Sequence, residues 1–227
     1  MSATAQDETQ QCVAGEPRWP MTIAVTAVIV LQALLQTQLH LRRHWLMWVL
    51  LAIEVLLLLA LLIGDPGAID RRSRLLRGVS IGLVCVLVVS ALWATTELIS
   101  DLVGGGPETN SAGDLLRAGA AVWVSNNIAF ALLYWELDRG GAAARAHRTS
   151  PRIDFAFPQD INPALVSAEW RPRFVDYFYL GFTNATAFSP TDVMPLAAWA
   201  KMTMTAQSLI SLLILSLVIA RAVNVLT

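Results

Sequence analysis

A series of apolar segments, most of them about as long as a membrane-spanning helix, constrains this chain more than any other feature. The segments cover residues 21–39, 45–63, 78–98, 115–137, 174–188 and 197–223. A helix needs about 20 mainly apolar residues to cross the hydrocarbon core of a bilayer. Of the 227 residues, 56% are hydrophobic and 15% are charged, which is more apolar surface than one soluble core of this size buries. The sequence therefore predicts an all-α, polytopic transmembrane helix bundle with six spans.

The polar segments divide the chain into four regions. Residues 1–20 are predicted to form a disordered N-terminal tail, and residues 21–137 a four-span transmembrane region. Residues 138–173 combine arginines with prolines and are predicted to form a cytoplasmic loop at the membrane surface, with Phe155, Phe157 and Trp170 in the headgroup region. Residues 174–227 form a two-helix C-terminal module.

Charge asymmetry predicts the orientation of the bundle. With six spans, the basic connectors 65–77 and 138–173 and also Arg221 share one face with the N-terminus. That face holds twelve of the sixteen cationic side chains, all except Arg42, Arg43, Arg117 and Lys201. Because cytoplasmic loops carry an excess of lysine and arginine, both termini are expected in the cytoplasm. Fifteen arginines against one lysine suggest a bacterial source, hence the bacterial cytoplasmic (inner) membrane.

Two carboxyl and two amide side chains inside the predicted spans are candidates for a functional or a packing role. Glu54 is at mid-span, where a charge is costly, so it either takes part in transport as a protonatable group or joins helices through hydrogen bonds. Glu97 is near a span end, where its carboxylate reaches the interface. Asn126 and Asn127 point in different directions, and we expect one of them to bond to another helix. The pair Gly78 and Gly82 is a weak indication of close helix approach.

The last two spans each carry a polar stripe. At 100° per residue, Asp176, Tyr179, Thr183 and Thr186 share one side of the fifth span, and Asn184 borders them. Lys201, Thr205 and Ser208 share one side of the last span. These stripes would line an aqueous path or bond to each other in a dry interior. Asp192 and Lys201 are expected to pair at the outer mouth.

Enzyme signatures are absent from the sequence. It contains no glycine-rich phosphate loop, no His/Cys metal spacing and no nucleophile elbow. A net charge of −1 leaves no basic footprint for nucleic acid. We therefore expect no enzymatic activity, no cofactor and no metal site. The expected partners are membrane lipids, further copies of the same chain and an inorganic ion.

Residues 123–226 resemble a family of bacterial multi-pass membrane proteins of unknown function. The motifs that carry the resemblance are Y-W-E-L-D-R-G-G, R-I-D-F-A-F-P-Q and D-Y-F-Y-L-G-F-T-N-A-T. The resemblance implies a fold type and no activity.

The C-terminal module is also similar to the pore module of potassium channels. Residues 176–186 resemble the pore helix, Asp192 the aspartate that closes the filter, and residues 199–223 the inner helix. The filter itself is missing, since T-A-F-S-P-T-D at 186–192 has no glycine to permit the required backbone geometry. This resemblance implies an alternative of five spans plus a re-entrant pore-like helix. The resulting prediction is a channel-like or transport protein that is not a standard potassium channel; the alternative is a non-catalytic structural or regulatory membrane protein.

Overall fold

The computed structural model describes residues 16–38, 44–64, 68–69, 74–104, 111–147, 152–167, 170–187 and 192–226. The predicted tail as far as residue 15, Arg42 and Arg43, and the turn at 189–191 lie outside these described residues. Within them the chain is all-α, as the sequence predicts.

Five helices are long enough and apolar enough to cross a membrane. They are α1 (Trp19–Gln38), α2 (His44–Gly64), α3 (Arg74–Gly104), α4 (Ala112–Leu137) and α8 (Ala198–Leu226). The predicted fifth span is the 14-residue helix α7 (Phe174–Ala187). At 1.5 Å per residue it is about 21 Å long, shorter than the hydrocarbon core of about 30 Å. Six spans are therefore not confirmed.

The remaining elements are short. They are the helices α5 (Ala142–Ala146) and α6 (Pro158–Ile161), and the two-residue strands β1 (Glu16–Pro17), β2 (Ala68–Ile69), β3 (Phe155–Ala156) and β4 (Met194–Pro195). β1 pairs antiparallel with β2, and β3 with β4.

The pairing of β1 with β2 marks one end of the bundle. It joins the start of α1 to the connection between α2 and α3, and Arg18 Nη1 donates to Leu61 O at 3.3 Å beside it. Trp135 Nε1 donates to Glu16 Oε2 at 2.9 Å, so α4 ends there too. We call this the Glu16 end and the opposite end, where α4 begins, the far end. Consecutive helices from α1 to α4 thus alternate in direction.

α7 and α8 both begin at the Glu16 end. Phe174 N donates to Glu16 Oε1 at 2.6 Å at the first residue of α7. β4, just before α8, pairs with β3 in the segment that follows α4, and Trp199 Nε1 donates to Asp154 Oδ1 at 3.2 Å. α8 continues to the far end, where Val218 packs on Gly119 of α4. The two helices therefore run parallel to each other and antiparallel to α4.

This arrangement changes the placement of two charged residues. Arg221 lies in the last turns of α8 at the far end, whereas the sequence analysis placed it on the face of the N-terminus. Lys201 lies in the first turn of α8 at the Glu16 end, and not on the opposite face as expected. The reason is that α7 does not carry the chain from one end to the other, so the positions downstream of it are inverted.

The aromatic residues of the segment 138–173 pack inside the protein. Phe155 and Phe157 are 0% and 3% exposed, so the expectation that they enter the headgroup region is wrong. The Phe155 ring lies 5.2 Å from that of Tyr134 on α4 and 5.5 Å from that of Trp199 on α8. The segment is therefore part of the hydrophobic core at the Glu16 end.

α4 is the central helix and contacts α1, α3, α7 and α8. Glycine permits close approaches of α4 to α8 and α7: a Cβ added at Gly119 would lie 2.7 Å from Val218 Cγ2 on α8, and one at Gly181 would lie 3.0 Å from Asn127 Oδ1 on α4. At Gly78 and Gly82 an added Cβ would meet nothing within 4 Å, so the predicted close approach is not found there. Small residues allow helices to pack closely in membranes, but here the relevant pair is Gly119 and Gly181.

Candidate functional site

The start of α7 is stabilised by Asp176. Arg173 N, just before the helix, donates to Asp176 Oδ2 at 2.7 Å. A carboxylate at the third helical position satisfies a free backbone N–H and complements the positive end of the helix dipole. Asp176 therefore lies half-buried at the Glu16 end, at the entrance to the module and not in its interior.

A buried hydrogen-bond network joins α4, α7 and α8 around Gln207. Its Oε1 accepts from Tyr134 OH at 2.7 Å and from Asn184 Nδ2 at 2.8 Å. Its Nε2 donates to Gly181 O at 3.0 Å, and Asn184 Nδ2 also contacts Met204 O at 3.0 Å. The side chains of Tyr134, Asn184 and Gln207 are all at most 2% exposed. Asn184, a predicted pore residue, is thus held in a dry interior.

The C-terminal end of α7 is bonded by serines of α8. Ser208 Oγ lies 3.3 Å from Asn184 O and 3.1 Å from Asn184 Oδ1. Ser211 Oγ donates to Ala185 O at 2.6 Å and accepts from Trp123 Nε1 at 2.6 Å. The last four carbonyls of a helix have no partner within it, and here two of them are satisfied by a neighbouring helix. Ser211 is 13 residues into α8, so α7 ends about 20 Å from the start of that helix.

The threonines of the α7 stripe point away from this network. Thr186 is exposed and Thr183 half-buried, and Tyr179 beside them is 51% exposed. Their hydroxyls bond within the helix: Thr183 Oγ1 to Tyr179 O at 3.0 Å, and Thr186 Oγ1 to Phe182 O at 2.9 Å. They form an outward polar face of α7 whose hydrogen bonds do not require water.

The α8 stripe and Asp192 are divided in the same way. Lys201 and Thr205 are exposed, while Ser208 turns toward α7. Asp192 is exposed two residues before β4. The structure thus brings Asn184 and Ser208 together, and it leaves Thr183, Thr186, Asp192 and Lys201 facing outward. The expected pairing of Asp192 with Lys201 stays a prediction.

The intramembrane polar residues lie at separate contacts. Asn126 Nδ2 donates to Thr95 Oγ1 of α3 at 2.7 Å, the interhelical bond expected for one of the two asparagines. Asn127 faces Gly181 of α7. Glu54 Oε1 lies 2.6 Å from Ser90 Oγ of α3 and the residue is fully buried, whereas Glu97 is half-buried.

A charged cluster that sequence reasoning missed lies at the Glu16 end, around Asp138. Its Oδ1 accepts from the backbone N–H groups of Asp154 and Phe155 at 3.1 and 3.2 Å, and its Oδ2 accepts from Tyr177 OH. Arg139 follows with a φ of +52°, and it bonds to Asp160 and to Asp154 Oδ2. A non-glycine residue in the left-handed region is uncommon, and these bonds hold it there. The signal in the sequence is the D-R-G-G turn, since Gly140 and Gly141 also have positive φ.

Arg145 and Glu16 extend this cluster to the N-terminal strand. Arg145 Nη1 donates to Trp135 O at 2.6 Å and Asp138 O at 2.9 Å, which satisfies carbonyls at the end of α4. Its guanidinium carbon lies 5.0 Å from the centre of the Tyr177 ring. Glu16 Oε2 is 3.7 Å from Arg145 Nη2. Burial raises the pKa of the Glu16 carboxyl, and the charge of Arg145 offsets this only in part.

The sequence carries a signal for Gln207 but none for the burial of Asp138. Gln207 is the one amide side chain in the apolar segment 197–223, and a lone amide in a membrane helix needs a partner. Asp138 directly follows an apolar span, which resembles an ordinary interfacial position, so its burial depends on the packing of the segment 152–157 over it.

These side chains bond chiefly to one another, so what they do is hold α7 and α8 in place against α4. Within the part of the chain that the structure describes, no group of three or more His, Cys, Asp or Glu is close enough to hold a metal ion. The resemblances found in the sequence stay predictions, because no family model, curated protein or solved structure matches this chain.

Proposed function

We propose that this chain is a channel-like or transport protein of the bacterial cytoplasmic membrane, in which α7 enters the bundle from the Glu16 end and stops inside it. The observation that carries the proposal is the parallel course of α7 and α8 from the same end, with the last carbonyls of α7 bonded by Ser208 and Ser211. Backbone that leaves a helix at membrane depth is tolerated where it is buried in protein or lines an aqueous cavity. Such interrupted elements form ion and substrate sites in channels and transporters.

The proposed topology is five spans plus a re-entrant helix. Among the described basic residues, nine belong to elements at the Glu16 end: Arg18, Arg74, Arg77, Arg139, Arg145, Arg152, Arg171, Arg173 and Lys201. Arg117 and Arg221 belong to the far end. This excess of positive charge supports a cytoplasmic position for the Glu16 end. The C-terminus then lies on the opposite face, and α7 enters from the cytoplasm.

The direction of α7 favours a cation as the ligand. The C-terminal end of a helix carries a partial negative charge. In α7 that end lies at about half the depth of the bundle, beside Ser211 of α8. Half-helix C-terminal ends and free carbonyls coordinate cations in transporters. An inorganic cation near Thr186 is therefore the candidate substrate.

Thiol accessibility tests the re-entrant course. In a background with Cys12 and Cys85 replaced by serine, Thr186→Cys in vesicles of known orientation is treated with a membrane-impermeant maleimide. We expect labelling when the reagent is added on the side of the Glu16 end, with protection by the permeant cation. The control is Leu213→Cys, an apolar position 51% exposed at similar depth on α8, which should stay unlabelled.

Labelling of Thr186→Cys only from the far side would contradict the re-entrant course. Absence of labelling from both sides would contradict an aqueous path at this position. A flux assay in liposomes with the threonine variants Thr183→Val and Thr186→Val then tests conduction directly.

A non-catalytic structural role is the second candidate, and the bonding around Gln207 favours it. Tyr134, Asn184 and Gln207 satisfy each other without any ligand. The oligomeric state in nanodiscs, measured by native mass spectrometry, separates the two candidates. Three or more copies arranged around the outward face of α7 would allow a shared pore. A monomer or dimer without flux supports the structural role.

A further inference from the structure

Glu54 lies at the middle of α2 and its side chain is fully buried. It faces Ser90 on α3, whose Oγ is 2.6 Å from Glu54 Oε1. The side chain of Gln32 on α1 lies beside it, but the two do not meet in hydrogen-bond geometry. Among the described residues, the groups that act on this carboxyl are these two neutral side chains and no charged one. An unpaired ionised carboxylate is unfavourable at the centre of a membrane-spanning helix.

The position of Ser90 Oγ shows how that charge is removed. The oxygen lies 2.6 Å from Glu54 Oε1 and also 2.8 Å from Val86 O, one turn earlier in α3. A serine hydroxyl has one hydrogen, so it cannot donate to both oxygens. Both contacts are hydrogen bonds when Glu54 carries a proton: the carboxyl O–H then donates to Ser90 Oγ, and Ser90 donates to Val86 O.

Unpartnered polar atoms continue from Glu54 along α1. Glu54 Oε2, Gln32 Nε2, Gln36 Oε1 and Gln36 Nε2 have no hydrogen-bond partner among the described residues. Gln32 and Gln36 are 2% and 4% exposed. A buried polar atom without a partner destabilises the fold, and buried water usually satisfies such atoms. Gln36 is one helical turn from Gln32 in the direction of the far end.

We propose that Glu54 is a proton-binding site that exchanges with the water at the far end along Gln32 and Gln36. The carboxylate takes up a proton from that water, donates it in a hydrogen bond to Ser90 Oγ, and returns it by the same route. This site lies between α1, α2 and α3, so it does not depend on conduction through α7 and α8. It would make the protein respond to the proton concentration on one side of the membrane, independently of any conduction.

Infrared spectroscopy of the protein in lipid vesicles tests the site without an activity assay. A neutral carboxylic acid has a C=O stretch that an ionised carboxylate lacks. We expect a band of this kind that is lost in Glu54→Gln, kept in the control Glu97→Gln, shifted after transfer to D2O, and abolished at alkaline pH. The D2O shift should be at least several-fold slower in Gln36→Leu, which blocks the route.

Three results would overturn the proposal. The first is a difference spectrum between wild type and Glu54→Gln that contains no carboxylic acid band at any pH from acidic to alkaline. That result would mean that Glu54 is permanently ionised. A band without a D2O shift would mean a sealed carboxyl that only joins helices. An unchanged exchange rate in Gln36→Leu, with the fold intact by circular dichroism, would overturn the route along α1.

Discussion

Ser211→Ala should destabilise the attachment of α7 to the bundle. The substitution removes the donor to Ala185 O and the acceptor of Trp123 Nε1–H, both at 2.6 Å. It leaves a carbonyl of the last turn of α7 and the indole N–H of the half-buried Trp123 without this partner. The change in side-chain volume is small, so the expected effect comes from the hydrogen bonds.

The magnitude follows from the environment of the two bonds. An unsatisfied buried polar group costs about 1–3 kcal/mol, but interhelical hydrogen bonds in membranes average about 0.6 kcal/mol with a maximum near 1.7. Loss of two such bonds should therefore lower the free energy of unfolding by roughly 1–3 kcal/mol. That is a substantial part of a total of about 5–15 kcal/mol for a folded protein.

The assay is equilibrium unfolding by SDS in mixed micelles, followed by circular dichroism. The matched control is Ser216→Ala, because Ser216 is exposed on the same helix and should change the free energy of unfolding by less than about 0.5 kcal/mol. A double-mutant cycle with Trp123→Phe should give a coupling of roughly 0.6–1.7 kcal/mol. If Ser211→Ala behaved like the control and the cycle gave no coupling, the argument that α8 caps α7 would be refuted.

Two further results are expected. Gly119→Ala should destabilise the fold by roughly 1–3 kcal/mol because its Cβ would lie 2.7 Å from Val218. The control Gly82→Ala, whose Cβ would meet nothing within 4 Å, should be neutral or stabilise the fold by up to about 1 kcal/mol. Equal effects of the two variants in SDS titrations would contradict the close approach of α4 and α8. The pKa of Glu16 is raised in the folded state from its ordinary value of 4.5, so at acidic pH the folded protein binds more protons than the unfolded one. This contribution to the free energy of unfolding therefore falls as pH rises through the raised pKa. Titrations at several acidic pH values should therefore show wild type losing stability relative to Glu16→Gln as pH rises; a gain instead would mean that the ion pair with Arg145 dominates.

Much of the fold could be predicted from the sequence because it depends on local composition. The four spans between residues 21 and 137 and the last span follow from apolar length, which is a property of each segment alone. The described parts of the basic connectors 65–77 and 138–173 lie at the same end of the bundle, since four alternating helices bring them together. The interhelical bond of Asn126 was also expected, because an amide in a membrane helix needs a partner.

The course of α7 was decided by tertiary structure alone. Its 14 residues are fewer than a full crossing needs, but they are apolar enough that the sequence analysis predicted a span there. Its direction depends on contacts made far along the chain: Glu16 with Phe174, β3 with β4, and Ser211 with Ala185. None of these partners is recognisable from periodicity, so the sequence analysis placed Arg221 and Lys201 at the wrong ends.

The same distinction between local sequence and tertiary packing applies to the candidate sites. Residue type and depth identified Glu54, Asn184 and the threonines of α7 from the sequence. The sequence could not tell which side of α7 faces α8, so it grouped the buried Asn184 with the outward Thr183 and Thr186. It also missed Asp138, Arg145 and Gln207, because a polar side chain is stabilised by its partners in space. Apolar length thus determined that the chain forms five helices able to cross a membrane, and the packing of α4 against α7 and α8 determined where its polar groups meet.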